Sequence, residues 1–313
     1  MTRLFGALAA ALFVIPAHAA DPIKMVVPFA AGGPVDALAR IVAAEIGPRL
    51  QSDVVVENRG GAGGLLAVEQ VARSAPDGRT ILFASVGAFV ITNALKPQPG
   101  YDQLKTFAPV ARIGAAPTLF IVKADAPFKT MAELIAKAKT DSKMSYGSAG
   151  AGTTMHIAAE QLNVSAGTKI THVPYRGIAP ALNDIMGGHI NFLNGDITVL
   201  YPLVQQGTIR ALAVAGTQRS SLLPNVPTAQ ELGYKDVYME NWYGALVPAA
   251  TPPDVVAKLE AAVMDAVKAP EVWAKISANG VYAPQDAKTF RAQIEKDVAY
   301  WGAEIKKLGI TAE

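Results

Sequence analysis

Two short segments carry residues suited to holding an anion through backbone amides. The first runs Pro28, Phe29, Ala30, Ala31, Gly32, Gly33, Pro34; the second runs Gly147, Ser148, Ala149, Gly150, Ala151, Gly152, Thr153, Thr154. Each stands between an apolar run and a helical pattern. A helix N-terminus there offers unpaired N–H groups and the positive end of its dipole, and glycine lets backbone approach a ligand closely. One such segment reads equally well as a tight turn that needs glycine for conformation alone. Two in matching positions point to a shared site. Neither is a nucleotide motif: no Lys follows Gly152, and G-x-G-x-x-G spacing is absent from both. A carboxylate therefore fits the Ser/Thr/Gly chemistry better than a phosphate.

Other reactive residues yield less. Gly147 adjoins Ser148, whereas a nucleophile elbow keeps one residue between them. His156 and Glu160 share a helix face, but zinc would need a third ligand, so a capping or packing role is expected. His172 and His189 flank strand starts and read as structural or exposed. Ser85, with Val86 and Gly87 after it, follows a strand and offers a hydroxyl. Tyr175 and Arg176 also follow a strand end, where Arg176 faces either cleft or surface. Asp196 is expected to cap the next helix and to orient a ligand donor or a water. The run Gly60 to Gly64 reads as structural. With no cysteine and four histidines in 313 residues, thiol chemistry and thiolate metal sites are excluded, and no cofactor is expected.

These residues need a framework. Hydrophobic residues make up 51% and charged ones 17%, with 28 basic against 26 acidic side chains. That excludes disorder and gives no basic field for nucleic acid. Residues 1–20 read as a secretory signal peptide, with Arg3, an apolar run from Leu4 to Pro16, and a small-x-small box cleaved near Ala19 or Ala20. The mature chain is thus expected in the periplasm, without a lipid anchor. Strand runs at residues 23–29, 53–57, 80–84, 119–122, 144–146, 170–173, 190–193, 209–214 and 242–247 alternate with helical patterns, the grammar of an α/β fold. Thr130 and Glu133 form a capping box. The last helices, within 253–308, lack a sheet of their own. The expected layout is two α/β lobes: residues 21–120 plus 241–313, and 121–240. The chain crosses between them near 115–122 and 236–242.

Five segments, residues 26–40, 56–64, 146–160, 173–177 and 223–233, resemble in order the tripartite tricarboxylate transporter substrate-binding proteins, also called the Bordetella uptake gene family. The likeness is collinear from about Ile23 to Gly309. It implies a two-lobed, type II-like periplasmic binding protein that closes on an organic carboxylate: a di- or tricarboxylate, an acidic amino acid or an aromatic acid. Such a protein is non-enzymatic, acts as a monomer, and hands its ligand to integral membrane transporter subunits. The resemblance assigns ligand contacts to the turns spanning Phe29 to Asp36 and Ser148 to Thr154, and to Ser85, Val86 and Gly87. Ala31 departs from the family's usual proline and Asn191 from its common aspartate. Phe29, Val86, Phe89 and Tyr175 make either an apolar wall of the site or lobe core. A sensor that passes its signal to a membrane partner shares the same capture step; a hydrolase is the remaining alternative.

Overall fold

The computed structural model describes residues 21–97 and 102–311. The expected signal peptide, residues 1–20, lies outside them. In chain order the first elements are β1 (Ile23–Val27), α1 (Pro34–Leu50), β2 (Val54–Asn58), α2 (Leu65–Ala72), β3 (Thr80–Ser85), α3 (Thr92–Leu95), α4 (Gln103–Thr106) and β4 (Phe107–Lys123). There follow α5 (Met131–Ala138), β5 (Ser145–Ser148), α6 (Thr154–Ala166), β6 (Thr171–Pro174), α7 (Ile178–Gly187), β7 (Phe192–Asp196), α8 (Ile197–Gln205) and β8 (Ile209–Val214). The chain ends with β9 (Glu240–Pro248), α9 (Pro253–Lys268), α10 (Pro270–Ser277), β10 (Gln285–Asp286) and α11 (Ala287–Leu308).

Local chemistry accounts for the helix starts. Pro34 opens α1, where its missing N–H costs nothing. Val35, Leu38, Val42 and Ile46 then recur on one face and are buried, each worth roughly 1.5–3 kcal/mol. Thr130 and Glu133 cap α5 reciprocally, as their spacing predicts. Among the described residues no helix is long and apolar enough to cross a membrane.

The strands join in the order β2-β1-β3-β9-β4-β7-β5-β6, with β8 and β10 also on β4. Strand β4 links the two lobes. Residues Phe107 to Pro117 pair with β9, while Thr118 to Lys123 pair with β7 and β8. The sequence suggests a strand only over 119–122, because Pro109, Gly114 and Pro117 interrupt the apolar run before it. In the structure the register with β9 shifts between Pro109 and Ala111 and again between Arg112 and Gly114. Bulges of this kind let a long strand keep residues that a regular central strand excludes.

Candidate functional site

The carboxyl ends of β1 and β3 in one lobe, and of β5, β6 and β7 in the other, carry the residues singled out above. In the first turn Gly32 is left-handed, at φ +87, and its N–H donates to Asp36 Oδ2 at 2.9 Å, four residues on. Arg40 Nε donates to the same oxygen at 3.0 Å. Asn58 Nδ2 donates to Asp36 Oδ1 at 2.9 Å and to the Phe29 carbonyl at 3.1 Å. Burial alone would raise the Asp36 pKa, but hydrogen bonds from Arg40, Gly32 and Asn58 outweigh it and hold the carboxyl below its usual range. Asp36 thus fixes the turn's shape, with Asn58 as an unforeseen partner at the end of β2.

The second turn repeats this device with different chemistry. Gly152 is also left-handed, at φ +75, and its N–H donates to His156 Nδ1 at 3.0 Å, again four residues on. His156 therefore carries its proton on Nε2. Its ring stacks on His172, with centroids 3.9 Å apart and planes 7° from parallel. Burial, then the neighbouring His172, pushes His156 down to about 4. Ser148 Oγ accepts from Gly150 N at 3.1 Å, donates to Gly150 O at 2.9 Å and lies 2.7 Å from His172 Nε2. Thr153 Oγ1 donates to Gly150 O at 2.8 Å and caps α6. The amides of Gly32 and Gly152 are thus used within their own turns. Pro34 has no N–H, so Val35 and Asp36 in α1, and Thr154 and Met155 in α6, supply first-turn amides without an intrahelical acceptor.

The second turn meets the other lobe in the segment after β3. A Cβ built on Gly87 would lie 3.4 Å from Thr154 Cγ2, and one on Gly152 only 2.3 Å from Leu95 Cδ1. Ala30, Ala31 and Gly32 are exposed; Phe29, Gly33, Gly87, Ala149, Gly150, Thr153 and Thr154 are half-buried. Ser85, Val86, Ser148 and Gly152 are buried, and Arg176 is exposed. Phe89 belongs to the lobe core, with its ring centroid 5.4 Å from Phe107 and 6.3 Å from Trp242, and Val86 is buried in the same cluster. Phe29 and Tyr175 pack only partly against the core. Tyr175 donates its hydroxyl to Asp184 Oδ2 at 2.6 Å, and its backbone N–H ties to Ser148 O.

Asp196 caps α8, accepting from Thr198 N at 3.0 Å and Thr198 Oγ1 at 2.7 Å. Its other oxygen accepts from Asn241 Nδ2 at 3.1 Å and from the Tyr243 hydroxyl. Burial pushes the Asp196 carboxyl up against these four bonds. Asn241 and Tyr243 escape sequence reasoning. Their one trace is the polar pair Glu240-Asn241 leading directly into Trp242 and Tyr243 at the head of an otherwise apolar strand.

Two α/β lobes joined through β4, each with a glycine turn between a strand end and a helix N-terminus, give the fold of a two-lobed solute-binding protein. Residues 38–310 match the family model described as the tripartite tricarboxylate transporter family receptor. The chain belongs to that family. It is similar to MatC (Rpa3494) from Rhodopseudomonas palustris with bound malate, at 30% identity and a TM-score of 0.84, covering 91% of this chain and 98% of that one. R. palustris Rpa4515 with adipate gives 29% identity and a TM-score of 0.87, covering 93% and 98%. The periplasmic binding protein BugD gives 33% and 0.84, covering 93% and 99%.

Proposed function

We propose that this protein is a periplasmic receptor that captures a small organic carboxylate by closing its lobes, and delivers it to membrane transporter subunits of the tripartite type. We take the lobes as residues 21–120 plus 241–313, and 121–240, on the change of partner along β4 at Pro117 and Thr118. The observation that carries the reading is the pair of braced turns. In each, a first-turn side chain four residues after the glycine holds the glycine amide, which leaves the neighbouring first-turn amides to face an anion. Family membership and the malate and adipate held by two similar proteins favour a carboxylate.

One contact superficially favours a hydrolase: Ser148 Oγ lies 2.7 Å from His172 Nε2. However, Ser148 is fully buried and already donates its proton to Gly150 O. The pair braces a turn and exposes no nucleophile.

A thermal-shift screen of organic acids on unfolded, ligand-stripped and refolded protein tests the proposal. At least one small carboxylate is expected to raise Tm with concentration, since a ligand of the folded state stabilises it by mass action. A folded protein that responds to none would count against capture.

A further inference from the structure

A row of polar side chains crosses the floor between the lobes. Antiparallel partners point to the same face of a sheet. On β4, Gly114 pairs with Tyr243, Ala116 with Asn241, Thr118 with Asp196 and Phe120 with Asn194. The β4 residues are alternate, so all four partners share one face. The hydrogen bonds from Tyr243 and Asn241 to Asp196 agree. Ser85 pairs with Tyr243 at the end of β3. At the other end, Tyr146 and Gly147 pair with Phe192 and Leu193, which sets Ser148 beside Asn194. The row therefore spans from the ligand-facing end of one lobe to that of the other.

Within it, bonding is uneven. Four donors fill the acceptor positions of Asp196. Asn194 is 0% exposed, yet neither its Oδ1 nor its Nδ2 has a hydrogen-bond partner, and Asn241 Oδ1 has none either. Leaving such groups buried and unpaired is costly. Asn194 thus presents one unmet acceptor and one unmet amide donor, beside Ser148; Asn241 lies four β4 positions away, opposite Ala116. A carboxylate, which only accepts, leaves the Asn194 Oδ1 unmet. An ammonium, which only donates, leaves the Asn194 NH2 unmet. A hydroxyl donates and accepts.

We infer that Asn194 selects organic acids that carry a hydroxyl group in addition to the carboxylate. This rests on the carboxylate reading above. The probes are four acid pairs differing by one hydroxyl: malate and succinate, citrate and tricarballylate, 3-hydroxybutyrate and butyrate, mandelate and phenylacetate. Each is titrated calorimetrically into refolded, ligand-free protein and into Asn194→Leu and Asn194→Ala, with melting curves for all three.

In the pair that binds best, the hydroxy acid is expected to bind at least about tenfold more tightly. Asn194→Leu should bring that ratio to within about twofold while the unsubstituted acid keeps its affinity, and its Tm should hold or rise, because an unpaired amide is replaced by an apolar group of similar size. Asn194→Ala should show the same loss of preference should Leu fit poorly. Equal binding within the pairs by the unaltered protein, or a preference that survives in the variants, overturns the inference while leaving carboxylate capture standing. Binding of none of the eight acids by folded protein overturns both.

Discussion

Gly32 and Gly152 occupy equivalent places: each is left-handed and donates its amide to a side chain four residues on. The conformational demand in the first turn falls on Gly32, because Gly33 is extended at φ −84. Gly32→Ala meets no atom within 4 Å but must adopt a left-handed angle, at a cost of about 1–2 kcal/mol. Gly33→Ala should change stability little, its nearest neighbour being Ala30 O at 3.8 Å. Urea unfolding of the two variants checks this, and equal stabilities would contradict it. His156 gives a pH signature. Its folded pKa of about 4 lies below the ordinary 6.5, so between those values the unfolded chain binds the extra proton. Stability should therefore be lost as pH falls from about 6.5 toward 4, at up to ~1.4 kcal/mol per unit from this group. His156→Gln should flatten that slope in unfolding curves taken across the interval.

At the scale of elements, the second glycine turn meets the other lobe at Leu95 of α3. Gly152→Val would place a branched side chain against Leu95 Cδ1 and strain a left-handed residue. Ligand affinity should fall by about a hundredfold, ~2.7 kcal/mol, and Leu95→Ala added to it should restore part of the loss. Calorimetric titration reads both, and unchanged affinity in Gly152→Val would contradict the placement. Both glycine turns, the α5 capping box and the long terminal helix are legible in the sequence, because their signals lie within a few neighbouring residues. The first half of β4 is not, since Pro109, Gly114 and Pro117 look like breakers until the bulges against β9 are seen. Asn58, Asn194, Asn241 and Tyr243 are hidden for a related reason. Their partners come from strands distant in sequence, and no local period announces which strands will be neighbours.

For the whole molecule, the proposed closure has to bend the strands that join the lobes while other contacts hold across them. Gln161 of α6 reaches Tyr300 and Glu304 of α11. A buried site shared by two lobes must open to admit its ligand, so small-angle scattering should show a smaller radius of gyration at saturating ligand. The central claim is that helix-terminal amides of both lobes hold an anion, and one comparison tests it most directly. The best-binding acid and its primary amide are titrated calorimetrically into the same refolded, ligand-free protein near neutral pH. Amide donors meet a carboxylate with charge-assisted bonds about twice as strong as neutral ones. The acid is therefore expected to bind at least about a hundredfold more tightly than its amide; equal affinities would show that the turns do not form an anion site.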